Sequence, residues 1–236
     1  MMKRFLPFTI IGAVLVLAVL LGWMLVRSTE SGKSAESGNG SNRPAEPRAE
    51  TPSPNAAPGA QPPHVRGETS ASVTLEEFGD FQCPPCGALY PELKKLEAEF
   101  GSRLRVIFRE RPLIQAHKNA LMAARAAEAA GLQGRFWEMH DKLYEHQKDW
   151  AELTEVRTVF ADYARSLGLD MDRFNRDLDG PTVETRIFMD GARAHTLGID
   201  GTPTLLLNNR ELPFETLTKP DGLRAAINTA LSGTGP

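Results

Sequence analysis

The chain has 236 residues, with 27 basic and 30 acidic side chains and a formal net charge of −3. This length accommodates one or two domains. The near-neutral charge, with no basic block and no zinc-finger spacing, gives no electrostatic basis for a nucleic-acid partner. The chain has only two cysteines, and such a pair can serve as a structural staple, as half of a metal site or as a reversible electron carrier.

An uncharged apolar run covers residues 5–26, directly after Lys3 and Arg4. As a helix, a run of this length crosses a hydrocarbon core of about 30 Å. Arg27 ends the run, and neither a small-residue cleavage site nor a cysteine for lipidation follows at once. We therefore predict an uncleaved transmembrane signal anchor over residues 1–27; a cleaved signal peptide is the alternative. The positive N-terminal flank favours a cytoplasmic N-terminus, which places the rest of the chain outside the cytoplasm.

Residues 28–68 are dominated by Ser, Gly, Pro, Ala and Asn with scattered charges. A segment of this composition buries too little apolar surface to offset the entropy lost on ordering. We predict a disordered linker over residues 28–68, with a root-mean-square reach of about 35 Å as a flexible coil. One domain then remains, over residues 69–236.

The first part of this domain predicts a strand, a helix and a second strand. The segment SVTLEEFGDF, residues 72–81, is rich in β-branched and aromatic residues, and so is LRVIF, residues 104–108. Between them, apolar residues recur at helical spacing: Leu89, Leu93, Leu96 and Phe100. The helix therefore begins at the two cysteines, directly after the first strand.

A block of helical patterns follows, from about residue 117 to residue 198. Four large apolar side chains are expected to pack this block onto the sheet: Phe136, Trp137, Met139 and Tyr144. We expect His140 and His195 to be core or surface histidines rather than metal ligands. This block separates the first two strands from those that follow.

The last part of the chain returns to strands. TPTLLL, residues 202–207, and RELPF, residues 210–214, predict two strands joined by a turn at Asn208 and Asn209. A final helix is predicted from about residue 221 to residue 231. The predicted order is strand, helix, strand, helical block, strand, strand and helix.

The cysteines, Cys83 and Cys86, stand two prolines apart at the predicted start of the first helix. As a staple they would close a very small loop and add little stability. A zinc site needs about four ligands, and none of the five histidines is spaced to complete one. A redox dithiol is the favoured interpretation. The helix N-terminus lowers the pKa of Cys83, which makes it the nucleophile, and Cys86 is expected to be more buried and to resolve the mixed disulfide.

The sequence resembles the DsbA-type branch of the thioredoxin superfamily, especially its membrane-anchored members in bacterial envelopes. Three motifs carry the resemblance in order: EFGDFQCPPC, GRFWEMHDKLYEH and GIDGTPTLLLNNRE. The resemblance covers about residues 69–231. It implies an α/β, thioredoxin-like fold with an inserted helical block, preceded here by the predicted transmembrane helix and linker.

The resemblance also implies roles for particular residues. Thr202 and Pro203 occupy the position of a cis-proline pair that faces the CxxC motif and binds substrate. Glu77 matches a buried acidic residue beneath the disulfide that assists proton transfer. From the residues alone, Glu76 and Glu77 point to opposite faces of a strand, so one should face inward; two solvated carboxylates are the alternative. Asp80 is expected to be a turn residue.

We therefore expect an extracytoplasmic thiol:disulfide oxidoreductase that acts on protein thiols, without a diffusible cofactor or a metal. A membrane redox partner recycles the cysteine pair, and the domain is expected to be a monomer tethered to the lipid bilayer. Oxidation of substrate is the preferred direction. The dipeptide Pro84–Pro85 departs from strongly oxidising relatives, which carry histidine before the second cysteine, so a reductase or isomerase remains open. A non-catalytic scaffold is the second alternative.

Overall fold

The computed structural model describes residues 56–233. The predicted anchor and most of the predicted linker lie outside this range, and the anchor stays a prediction. None of the helices between residues 56 and 233 combines the length and apolar character needed to cross a membrane.

The domain is built on a five-stranded sheet with strand order β1-β3-β2-β4-β5. Its strands are β1 (His64–Arg66), β2 (Val73–Gly79), β3 (Leu104–Glu110), β4 (Thr204–Leu207) and β5 (Arg210–Glu211). The central pair, β2 and β3, is parallel, and every other neighbouring pair is antiparallel. A parallel pair needs a crossover connection, and the helix that begins at the cysteines supplies it.

That helix is α1 (Pro84–Phe100), and a short 3₁₀ turn at Gly101–Arg103 leads from it into β3. Six helices then separate β3 from β4: α2 (Ala120–Gly131), α3 (Phe136–Glu145), α4 (Gln147–Trp150), α5 (Arg157–Ser166), α6 (Met171–Leu178) and α7 (Pro181–Thr196). The chain ends with α8 (Phe214–Thr218) and α9 (Gly222–Leu231). The thioredoxin-like fold with an inserted helical block is therefore confirmed.

The chain is ordered before residue 69, where we predict the domain to begin. β1 pairs with β3 through Val65 and Ile107. Upstream of β1, the backbone N–H of Ala60 donates to Asp190 at 2.7 Å, and its carbonyl accepts from Arg109 at 2.9 Å. These hydrogen bonds join residues that are far apart in the sequence. The local composition, which predicts a disordered linker, therefore cannot reveal that this segment is held against the domain.

A second difference concerns the predicted strand over residues 210–214. Arg210 and Glu211 form β5, Leu212 adds one further backbone hydrogen bond to Leu205 of β4, and α8 begins at Phe214. Pro213 has no N–H to continue the ladder, and it precedes the first residue of α8. The turn before β5 lies where predicted, because Asn208 and Asn209 both have positive φ.

Both faces of the sheet are covered. Leu75 of β2 and Val106 of β3 share a cluster with Leu89 and Leu93 of α1. Phe78 of β2 lies on the opposite face and packs with residues at the end of α7 and with β4. Because side chains alternate along a strand, consecutive residues of β2 are buried on different faces.

Candidate active site

The loop between β2 and α1 is held by Asp80. Its carbonyl accepts from the N–H of Cys83 at 3.1 Å, and its carboxylate accepts from the N–H of Gln82 at 2.8 Å. The same buried carboxylate also accepts from the N–H of Leu113 and contacts His117. Asp80 is therefore a turn residue, as predicted, and it fixes the direction in which the chain enters α1.

Cys83 occupies the N-cap position of α1, and Pro84 and Pro85 form the first two helical positions. Proline suits the first turn of a helix because an N–H there has no intrahelical partner. The N–H of Cys86 is consequently the first one that the helix offers to the Cys83 sulfur. Both cysteines are free thiols, with Cys86 fully buried and Cys83 exposing 4% of its surface.

The pKa values of the two thiols are shifted in opposite directions. A hydrogen bond from the Cys86 thiol, followed by contributions from Thr202 and the Cys86 N–H, lowers the pKa of Cys83 to about 6 against the opposing effect of burial. Burial, followed by the hydrogen bond to Cys83, raises the pKa of Cys86 well above its ordinary value. At neutral pH, Cys83 is therefore a thiolate and Cys86 a thiol, and a thiolate is the form of cysteine that acts as a nucleophile.

The Thr202–Pro203 peptide bond is cis, as predicted. It faces the dithiol, because the Cys83 sulfur lies 3.4 Å from the Thr202 carbonyl oxygen. The Thr202 hydroxyl is buried and has no other hydrogen-bond partner, so it is free to donate to the thiolate. β4 begins at Thr204 and pairs there with Phe78 of β2, which fixes this loop beside the active-site loop.

Glu76 and Glu77 are both buried, so the alternative of two solvated carboxylates does not hold. Glu77 lies on the face that α1 covers, and burial, with the nearby charges of Glu97 and Cys83, raises its pKa to about 8. Glu76 lies on the α7 face. Burial opposes its ionisation, but hydrogen bonds from Arg193 and Arg109 outweigh that effect and lower its pKa.

The inserted helical block holds the active-site loop through side-chain amides, which the sequence analysis did not identify. Gln147 of α4 donates to the carbonyls of Phe81 and Cys83 at 2.7 and 2.8 Å. Gly87 permits this approach, since a Cβ there would lie 2.2 Å from the Gln147 side chain. A glycine directly after the second cysteine is the only local signal of this contact.

The aromatic residues of α3 join the block to the sheet, as predicted. Phe136, Met139 and Tyr144 belong to the same buried cluster as Phe108 of β3. His140 is buried among these rings, and burial lowers its pKa to about 4. It is a neutral core histidine, whereas His195 is exposed.

Cys83 is expected to react with iodoacetamide at pH values just above about 6, because its thiolate is then populated. Cys86 is expected to stay unreacted over the same range, since it is buried and protonated. Mass spectrometry of the reduced protein, alkylated at a series of pH values, measures both rates. Alkylation in denaturant, where both thiols must react alike, is the control, and equal rates in the folded protein would contradict this assignment.

A family model described as Thioredoxin matches residues 60–229. The chain belongs to the thioredoxin family. BdbD from Bacillus subtilis, in its oxidised form, is a similar solved structure, with 25% sequence identity and a TM-score of 0.62 over 75% of this chain and 98% of BdbD. The thiol-disulfide exchange protein α-DsbA2 from Wolbachia pipientis shares the fold, with 22% identity and a TM-score of 0.59 over 70% of this chain and 86% of that protein.

A curated relative of this thioredoxin-family chain is named as an ion antiporter rather than as an oxidoreductase. Na(+)/H(+) antiporter NhaA 1 from Salinispora arenicola is 41% identical over 171 residues, which cover 72% of this chain. The matched stretch is 25% of the antiporter, so the chain spans about a quarter of that relative's length. The similarity is therefore to one part of the antiporter.

Proposed function

We propose that this chain is a thiol:disulfide oxidoreductase that oxidises protein thiols through Cys83 and Cys86. The observation that carries the proposal is the unequal acidity of the two thiols at the N-terminus of α1. A stabilised Cys83 thiolate favours the reduced form of the pair, and a stable reduced form makes the disulfide a stronger oxidant.

The proposed reaction moves two electrons from a substrate dithiol to the enzyme. A substrate thiolate attacks the Cys83 sulfur of the oxidised enzyme, a substrate–Cys83 disulfide forms, and the Cys83–Cys86 bond breaks with its electron pair leaving on Cys86. Cys86 gains a proton, which Glu77 supplies. The second substrate thiolate attacks the first substrate sulfur and expels Cys83 as a thiolate.

The loop at Thr202 and Pro203 is proposed to bind the substrate segment that carries the reacting cysteine. This loop lies against the Cys83 sulfur, and its proximity to the attacked atom supports the proposed role in peptide binding. The chain is proposed to be anchored by residues 1–27 to the cytoplasmic membrane, with the domain on its outer side and a membrane protein that re-oxidises the dithiol. Ion transport is not part of the proposal, because the chain spans a quarter of the antiporter it resembles.

The reduction potential of the Cys83–Cys86 pair, measured by equilibration with glutathione, tests the proposed direction. A potential near the most oxidising members of the family supports oxidation of substrates, and a potential near that of thioredoxin supports the reductase alternative, which the Pro84–Pro85 dipeptide leaves open. Turnover of insulin or of a dithiol peptide tests the scaffold alternative. A folded protein that turns over neither would overturn the enzymatic proposal.

Replacing Pro85 with histidine is expected to lower the pKa of Cys83 and to make the disulfide more oxidising. The variant restores a backbone N–H in the first turn of α1 and adds an imidazole that becomes cationic. Each pKa unit corresponds to about 30 mV for this two-electron couple while the thiolate is the populated reduced form. Thiolate absorbance and glutathione equilibration, performed on wild type and variant, measure the two quantities.

Pro85→Ala is the matched control for this variant, because it restores the N–H without adding an imidazole. A change in the Cys83 pKa or in the potential that both variants show is caused by the restored N–H. A change that only Pro85→His shows is caused by the imidazole cation. A fall in the pKa of Cys83 without a rise in potential would mean that the substitution acts on the oxidised form instead.

A further inference from the structure

Two buried polar groups without a hydrogen-bond partner in residues 56–233 lie on the face of the sheet that α1 covers and have no part in the proposed reaction. They are the hydroxyl of Tyr144, on α3, and both carboxyl oxygens of Glu110, at the end of β3. Glu110 is 1% exposed and Tyr144 is 5% exposed. A buried polar group that no partner satisfies costs free energy, so its position calls for a physical explanation.

The sheet register places Glu110 on the same face as Glu77. β2 and β3 are parallel, with Glu77 opposite Phe108 and Gly79 opposite Glu110. Side chains that lie opposite each other on parallel strands share a face, and neighbouring strands are about 4.8 Å apart. Glu77, Gly79 and Glu110 therefore form a row on the side of the sheet that α1 covers.

The Tyr144 hydroxyl enters this row at Gly79. A Cβ on Gly79 would lie 2.5 Å from the Phe108 ring and 3.0 Å from the Tyr144 oxygen, so the absence of a side chain there makes room for both the ring and the hydroxyl. The Tyr144 ring packs against Phe81, in the active-site loop, and against Tyr90, with ring centroids 5.0 and 5.5 Å away. Tyr90 lies one turn after Cys86 in α1, so Tyr144 contacts the helix that carries the resolving cysteine and also reaches the row at Gly79.

Both groups are shifted toward their protonated form. Burial raises the pKa of Tyr144 well above its ordinary value, and four acidic groups face its hydroxyl in support of that shift: Cys86, Glu77, Asp80 and Glu110. Burial also raises the pKa of Glu110 well above its ordinary value. The nearby charges of Glu128, Asp190 and Asp80 add to this shift, and that of Arg186 opposes it.

We propose that Tyr144 and Glu110 form a second proton-transfer arm for Cys86, alongside Glu77. The inference rests on the proposed oxidoreductase function and names residues that the family resemblance does not assign. When the disulfide opens, the bonding electron pair leaves on Cys86, and Cys86 takes up a proton that the Tyr144 hydroxyl releases through one bridging water. The tyrosine oxygen regains a proton from Glu110, again through a bridging water because neither group lies within hydrogen-bond distance of a partner, and solvent returns one to Glu110. The protons move in the opposite direction when the disulfide re-forms.

Infrared difference spectroscopy between the oxidised and reduced full-length protein tests the proposal. A protonated carboxyl has a C=O stretch that a carboxylate lacks, and the proposal expects such a band from Glu110 to change with the redox state. Glu110→Gln is expected to remove one band from the difference spectrum, and Tyr144→Phe is expected to shift the same band. Glu77→Gln should affect a separate band.

The rate at which dithiothreitol opens the disulfide supplies the second measurement. Tyr144→Phe is expected to slow this step about tenfold, less than the usual contribution of a general acid because Glu77 still acts. Tyr163→Phe is the matched control, since Tyr163 lies on α5 outside the row and its variant should keep both spectrum and rate. Circular dichroism verifies folding. If Glu110→Gln does not fold, the band shift and rate of Tyr144→Phe decide the question.

The outcomes separate this inference from the function on which it rests. An inactive, correctly folded wild type overturns the proposed function. An active wild type whose difference spectrum and opening rate are the same in Tyr144→Phe overturns the second arm and leaves the function standing. Loss of the Glu110 band in Glu110→Gln, together with slower opening of the disulfide in Tyr144→Phe, supports both the proposed function and the second proton-transfer arm.

Discussion

Replacing Cys83 with serine is expected to abolish disulfide exchange, with a loss on the order of a thousandfold or more in the turnover of a dithiol peptide. Serine keeps the size of the side chain, but its hydroxyl cannot form a disulfide and is not ionised at neutral pH. Cys86, the one other cysteine of the chain, is fully buried and cannot replace Cys83 as the nucleophile. Urea unfolding of the variant should remain close to that of the reduced wild type.

Replacing Cys86 with alanine is expected to have the opposite effect on covalent complexes, because Cys83 can still exchange with a substrate disulfide and nothing remains to resolve the product. Mixed disulfides through Cys83 should accumulate and be visible by non-reducing electrophoresis and mass spectrometry. The double variant Cys83→Ser/Cys86→Ala is the control and should trap nothing. Trapping that is equally strong in the double variant would assign the complexes to another cause and favour the scaffold alternative.

The parts of this site that could be predicted are those encoded in neighbouring residues. The dithiol could be placed at a helix N-terminus from three local features. The strand before it ends at Gly79, two prolines suit the first turn of a helix, and apolar residues recur at helical spacing after Cys86. The cis bond before Pro203 followed from the order of the motifs rather than from physics, since a proline at a strand start is usually trans. Its position against the Cys83 sulfur confirms that inference.

The parts that could not be predicted depend on contacts between distant residues. Strand periodicity places Glu76 and Glu77 on opposite faces, but it does not reveal that α7 covers the second face and brings Arg193 to Glu76. The contact of Gln147 with the Cys83 carbonyl spans 64 residues and rests on how α4 packs. The short β1 has too few residues to show a period, and pairing with β3 alone defines it.

Replacing Glu77 with glutamine is expected to stabilise the reduced protein increasingly as the pH rises. The folded-state pKa of Glu77, about 8, lies above its ordinary value of 4.5, so the folded protein retains a proton that the unfolded chain releases. This contribution to stability is complete below the unfolded pKa and is lost as the pH rises toward the folded pKa. Between these values, the wild type should lose about 1.4 kcal/mol per pH unit relative to the variant.

Urea unfolding of both reduced proteins at a series of pH values measures this difference. Cys83 changes the free energy of unfolding with pH in the opposite direction, because its folded pKa of about 6 lies below its ordinary value of 9.0. Both proteins contain Cys83, so its contribution largely cancels when their free energies of unfolding are compared. Glu152→Gln removes a side chain that is 90% exposed and should run parallel to the wild type. If Glu77→Gln also runs parallel, Glu77 titrates at its ordinary pKa and is ionised at neutral pH. It then has no proton to give Cys86 when the disulfide opens. The second proton-transfer arm, Tyr144 and Glu110, would have to supply that proton instead.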